Sequence, residues 1–510
     1  MGFDLTLFGY LMVPATLLVA VLYPQWLLPW TFMFVPFQAA SVLNIYLGDY
    51  PIAVQPGYFA AGCFVVVLFL KLLNKGYASF PRGLMYVCTP LFVFLAYVTL
   101  GAVLLPLIFE DTVEVISPRG EGELQGGFVP LQLSMTNVSQ TLYILFLAVF
   151  LVAVALDVVN FGRRRSIKYY LIPYLIGGCL VALIGFYQLG AEYFGLPYPY
   201  ELLYSNFYAQ NYGQYIGEVK RLSSTFTEPA QASYYLAGVF FFTVWCYLFT
   251  RTSKLILPTC LLSGTALLLT TSTTAYVAMS VMWLAMMWQV IRRRRLSHRV
   301  IRVVIVLIPI FVLAFVGLYS LGGSETVRST IEASIFDKTE SESYEIRSES
   351  ALHSLTLLSP TGGFGVGWGS NRSSGLLFNM LANAGIWGTA LLVWFGFRVY
   401  RYVSRTISLR AIDQELRHLV QAYGLSVLAM LVAGLTSEGD LTYVYLWLNL
   451  AVLIALTLYA RKPPAETPYR ALAAGKASIM STASSPRTTS TSNARRGELF
   501  EARGGGRDGT

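Results

Sequence analysis

The 510 residues are 55% hydrophobic and only 12% charged, with a mean hydropathy of +0.58 and a formal net charge of +9. A soluble chain needs roughly 25% charged residues to cover its surface, so this composition excludes a soluble globular enzyme and points to lipid as part of the solvent. The positive charge lies in short segments beside apolar runs, where membrane topology explains it, so a nucleic-acid partner is not expected.

In chain order, apolar runs long enough to cross a bilayer core of about 30 Å fall at about 6–23, 26–46, 56–73, 84–109, 139–158, 169–189, 230–250, 255–271, 275–291, 301–321, 376–397, 419–436 and 443–460. The expected fold is therefore an all-α polytopic membrane protein with about 12–13 transmembrane helices, forming one domain over residues 1–462. Met1–Leu5 has no basic region, so no cleavable signal peptide is expected. Cys63, Cys88, Cys179, Cys246 and Cys260 fall inside or at the ends of apolar runs, without metal-ligand spacing, and read as packing residues.

One set of connecting segments is basic: Lys71, Lys75 and Arg82; Arg163 to Arg165 with Lys168; Arg251 and Lys254; Arg292 to Arg295; Arg398, Arg401 and Arg405; Arg461 and Lys462. These segments alternate with acidic or mixed ones, which makes the basic set cytoplasmic. The long loops at 110–138, 190–229 and 322–375 are then periplasmic, and loops of that length are commonly functional. The tail, 463–510, is rich in Ser, Thr, Gly, Ala and Arg and cannot bury enough apolar surface to fold, so a disordered cytoplasmic segment is expected.

The second loop ends Lys220-Arg221-Leu222-Ser223-Ser224-Thr225-Phe226-Thr227-Glu228-Pro229. Pro229 suits a first helical turn, which places Glu228 at the N-cap, where the helix dipole favours an ionised carboxylate. A plain helix cap beside an interfacial arginine explains the pair equally well. In the third loop, a helix continuing to Leu358 puts Ala351, Leu352, Leu355 and Leu358 on one apolar stripe bordered by Arg347. At 100° per residue, Glu349 then stands roughly 200° around from Arg347, so the two do not pair; a solvated amphipathic face is the alternative for Arg347, Glu349 and His353. His298 and His418 fall in basic loops, which leaves His353 alone on the side of the long loops.

Residues 362–369 hold five glycines, continuing into Ser370-Asn371-Arg372-Ser373. Such a loop tolerates positive φ and close backbone approach, and it can turn several amides toward an anion. It is not a P-loop, since the Gly-Lys-Ser/Thr ending is missing. Thr270 to Thr274 separates two apolar runs and reads as a tight turn. Glu110-Asp111 could hold a metal, but no Asp-x-Asp occurs anywhere in the chain, so no metal or other cofactor is expected.

Together these segments resemble the O-antigen polymerase and O-antigen ligase superfamily of bacterial inner-membrane glycan polymerases, closest to the polymerases of capsule and exopolysaccharide. Arg221 to Pro229, Thr271 to Tyr276 and Gly363 to Gly388 carry the likeness, which covers about residues 140–460. Ligases of this superfamily carry a His-Asn pair where Ser374 and Gly375 stand here, a departure that favours a polymerase.

The resemblance implies a metal-independent membrane glycosyltransferase at the periplasmic face of the inner membrane. It would polymerise undecaprenyl-pyrophosphate-linked repeat units, with membrane lipid and a chain-length regulator of the same pathway as further partners. Arg221, Arg347 and Arg372 would then grip pyrophosphate, since guanidinium groups stay charged and bind phosphate at two points. Glu228, or next Glu349, would orient or deprotonate the acceptor hydroxyl. Two other functions stay open: ligase-type transfer to another acceptor, and a non-enzymatic transporter of lipid-linked glycan. A transporter should line its path with polar groups at mid-membrane; here the ionisable residues gather in loops.

Overall fold

The computed structural model describes residues 2–47, 50–75, 80–118, 127–162, 165–207, 213–216, 219–250, 252–292, 302, 307–317, 319, 342–410, 412–436 and 440–461. The tail expected to be disordered and the segment 320–341 lie outside the described residues, and so does His298. The protein is an all-α polytopic membrane protein. Among the described residues seven helices are long and apolar enough to cross a bilayer, or eight if a bent N-terminal pair counts as one span.

Those seven are α3 (Pro56–Lys75), α4 (Arg82–Ile108), α5 (Met135–Phe161), α6 (Lys168–Phe194), α8 (Pro229–Phe249), α13 (Leu376–Ile407) and α14 (Gln414–Thr436). Shorter apolar helices are α9 (Ile256–Leu269), α10 (Thr273–Arg292), α11 (Leu307–Gly317) and α15 (Val444–Ala460). Two more helices, α7 (Tyr200–Leu203) and α12 (Glu342–Thr356), lie in the loops.

The span expected over 26–46 does not form. Helix α1 (Leu7–Leu22) is followed by α2 (Leu27–Phe34), bent from it by 117° at Pro24. The chain then leaves the helix and makes an antiparallel sheet of β1 (Gly2–Leu5), β2 (Leu43–Leu47) and β3 (Tyr50–Val54), with Phe3 opposite Ile45 and Ile45 opposite Ile52. Two short hairpins follow later, β4 (Glu114–Ile116) with β5 (Phe128–Pro130), and β6 (Tyr215–Ile216) with β7 (Val219–Lys220).

Helix α8 is the centre of the bundle, packed against α6, α9, α10 and α14. It is apolar on every side, as a helix enclosed by other helices must be, and nearly all of it is buried. Small residues let the neighbours approach, as in membrane helix packing generally. A Cβ at Gly238 would sit 2.4 Å from Met430, and one at Gly178 would sit 2.5 Å from Val239.

Helix α13 is interrupted. Gly385 has φ 64° and ψ −170°, and the amide of Ile386 donates to the carbonyl of Gly363 at 2.9 Å instead of continuing the helix. Non-helical backbone at membrane depth survives only where protein covers it, and the glycine-rich segment 362–369 is that cover. A Cβ at Gly365 would meet the Ala382 carbonyl and the Gly385 nitrogen at 2.6 Å, and one at Gly367 would meet Pro106 at 2.7 Å.

The two ends of the bundle differ in charge. At one end Arg461 bonds Thr406, Arg398 bonds the Tyr86 carbonyl and Arg302 the Leu248 carbonyl; Arg82, Lys168, Lys254, Arg405 and Arg410 mark helix termini nearby. The opposite end gathers the starts of α5, α8, α10, α13 and α15. Contacts across it include Tyr58 to the Thr442 carbonyl and Asn137 to the Trp368 carbonyl.

Candidate functional site

The segment joining Arg221 to Glu228 is a buried strut. Leu222 through Glu228 are all buried, and their polar groups bond to separate parts of the fold, α6 and the segment after α2 among them. The Gln188 side-chain oxygen accepts the amides of Ser223 and Ser224, Ser224 donates to the Val181 carbonyl, and Thr225 donates to the Pro36 carbonyl. Ser224 takes φ 55°, a conformation a serine adopts only when its surroundings enforce it. The strut fixes both ends, Arg221 and Glu228, relative to the bundle.

Arg221 donates through Nε to the Thr270 carbonyl at 3.2 Å and through Nη1 to Gln214 at 2.7 Å. Thr270 belongs to the tight turn between α9 and α10, where Thr270, Thr271, Ser272 and Thr274 are buried and Thr271, although β-branched, has φ 46°. The Arg221 pKa is lowered to about 10, first by burial and then by the charge of Arg347, with Glu228 and Tyr276 offsetting part of the shift. These four side chains therefore share one electrostatic site, built from a loop, the start of α8, α10 and α12.

Glu228 occupies the N-cap position of α8 with an extended backbone, and its carbonyl accepts from the Ala232 amide. Its side chain makes no cap hydrogen bond to the helix. Its charge acts on Arg221, offsetting part of the effect of Arg347.

The apolar stripe expected on α12 is not its docking face. Leu352 and Leu355 are exposed, while Ser350, Ser354 and Leu357 are buried. The helix docks through hydroxyls: the Ser374 amide donates to Ser350 Oγ at 3.2 Å, and Asn371 donates to Ser354 Oγ at 3.4 Å. Arg347 lies almost in line with Ser354, seven residues on at 100° each, and is half-buried, whereas Glu349 is exposed. Polar docking of this kind leaves no hydrophobic periodicity to read.

Arg372 is exposed on the glycine-rich loop, and its amide donates to the Ile116 carbonyl. Several of the loop's amides are spent inside the fold. Those of Gly363, Val366 and Asn371 donate to Leu358, Ala382 and Asn383, so this loop is a packing device. His353 bonds the Glu114 carbonyl and lies edge-on to Phe128, tying α12 to the β4–β5 hairpin. His418 stacks on Phe249 at the basic end. Among the described residues no group of three or more His, Cys, Asp or Glu side chains is arranged to hold a metal ion.

No protein-family model and no curated protein matches the chain.

Two members of the site escaped the sequence reading. Gln214 reaches Arg221 only through the β6–β7 hairpin, and Tyr276 only through the turn after α9. Neither carries a sequence signal of its own, although Tyr276 ends the Thr271 to Tyr276 segment.

Proposed function

We propose that this protein is a membrane glycosyltransferase that polymerises lipid-pyrophosphate-linked oligosaccharide repeat units at the periplasmic face of a bacterial inner membrane. The observation that carries the reading is the electrostatic coupling of Arg221 to Arg347 and Glu228, at the end of the bundle away from its basic helix termini. The charge asymmetry supports a non-cytoplasmic site under the positive-inside rule. Two guanidinium groups against one carboxylate leave a net positive site, suited to a departing pyrophosphate.

The acceptor hydroxyl oxygen attacks the anomeric carbon of the donor. The carbon–oxygen bond to pyrophosphate breaks, and the lipid pyrophosphate leaves with the electron pair between Arg221 and Arg347. Glu228, beside a helix start, takes the hydroxyl proton or orients it.

A transporter of lipid-linked glycan is the second reading, favoured by the break in α13, since transporters place binding sites at discontinuous helices. The break is filled by Gly363 and Gly365, which argues against a path there. Analysis of lipid-linked glycan in a deletion strain separates the readings. Single repeats outside the cytoplasm support the polymerase; long unattached chains support a ligase; repeats retained on the cytoplasmic leaflet support the transporter.

A further inference from the structure

A second site lies at the basic end. A cavity of about 390 Å³ opens between the end of α8 and the start of α9, lined by Tyr247, Thr250, Ser253, Lys254, Leu257 and Arg302. Its size falls within the range of small-ligand sites, about 300–1,000 Å³. Lys254 and Arg302 both line it, and neither forms an ion pair among the described residues. Two like charges around one cavity repel unless an anion sits between them.

The remaining groups suit an oxyanion. Arg302 donates to the Leu248 carbonyl at 3.3 Å, which uses one of its five N–H donors. Ser253 Oγ accepts from the Leu255 amide at 3.2 Å, which leaves its own O–H to donate. The start of α9, where the helix dipole is positive, borders the cavity opposite the negative end of α8, so the side chains decide its preference. Beside the polar groups stand Leu257 and the neighbouring Leu255, both exposed.

We propose that this cavity binds the phosphodiester headgroup of an anionic phospholipid, with the acyl chains lying along the apolar side chains of α9. A soluble phosphate would satisfy the cations equally but has no use for the exposed leucines or for a position at the ends of membrane-spanning helices. Basic pockets of this kind between transmembrane helices recognise anionic headgroups. The site is remote from Arg221 and does not depend on the proposed polymerase activity.

The test is native mass spectrometry of the full chain in detergent, with phosphatidylglycerol and phosphatidylcholine in competition. Wild-type protein should retain phosphatidylglycerol in preference. Lys254→Gln should weaken that preference roughly fivefold and Lys254→Gln with Arg302→Gln roughly twenty-five-fold, while Arg405→Gln with Arg410→Gln at the same end should leave it unchanged. Lys254 is exposed, so its single variant stays folded and decides the matter even if the double variant does not. An unchanged preference in Lys254→Gln overturns the proposal. So does displacement of the lipid by glycerol phosphate at equal concentration, which would make this a soluble-anion site.

Discussion

Arg221 loses proton affinity first to burial and then to the guanidinium of Arg347, which stands on a helix far along the chain. Glu228 offsets only part of that repulsion. Cations held together near a membrane are costly, and a bound pyrophosphate would remove the cost for both at once.

Replacing Arg347 separates its charge from its geometry. Arg347→Gln should lower polymer formation roughly 10- to 100-fold, the worth of a charge-assisted hydrogen bond of about 1.5–3 kcal/mol. Arg347→Lys should recover only part of it, because a point charge lacks the two-point grip. Polymer yield at matched membrane protein level checks this, and full activity in Arg347→Gln would remove Arg347 from the site.

The pH response of Arg221 has a defined sign. Its folded pKa, lowered to about 10, lies below the ordinary arginine value, so the unfolded chain holds that proton over a window where the folded chain has released it. From about pH 10 upward, until the unfolded group also titrates, this group's contribution to stability therefore rises with pH. Anion binding needs the proton in place and runs the other way. Pyrophosphate affinity of purified protein should be flat from about pH 8 to 9 and fall above about 10, and Arg221→Gln should be weak and flat throughout.

Glycines of the α13 cover should be intolerant in order of their contacts. Gly365→Ala combines φ 82° with a Cβ 2.6 Å from backbone atoms and should cost at least about 2 kcal/mol of stability. Gly362→Ala has positive φ but only Phe364 nearby, at 3.8 Å, and should cost less. Thermal unfolding in detergent ranks the two, and equal values would contradict the packing role of the loop.

Helices such as α5 and α6 were legible in the sequence because length and apolarity alone define a membrane span. The bent α1–α2 pair was not, since an apolar run that turns at Pro24 and enters a small sheet has the same composition as one that crosses. Glu228 could be placed at a helix start from Pro229, but not released from capping it, because a cap is a matter of side-chain direction. Arg347 was found beside the wrong stripe of α12, whose docking face is made of serines. The way the glycine loop folds onto α4, α5 and α13 depends on contacts that leave no local trace in the sequence.

Sidedness is open to a direct check. An alkaline phosphatase reporter fused after Gly213, in the hairpin beside Arg221, should be active, and one fused after Arg410, at the basic end, inactive. The reverse pattern would put the site in the cytoplasm and end the polymerase reading.

In the proposed mechanism the Glu228 carboxylate acts on the acceptor and does not hold the helix. Glu228→Gln keeps the size of the side chain, and with no cap bond to lose it should unfold at nearly the wild-type temperature; a lost cap would cost about 1 kcal/mol. The measurement is polymer made from lipid-linked repeats by purified Glu228→Gln protein, relative to wild type. Loss of a base predicts a rate lower by roughly 10²–10⁴-fold in a folded protein, and polymer at the wild-type rate would contradict the account.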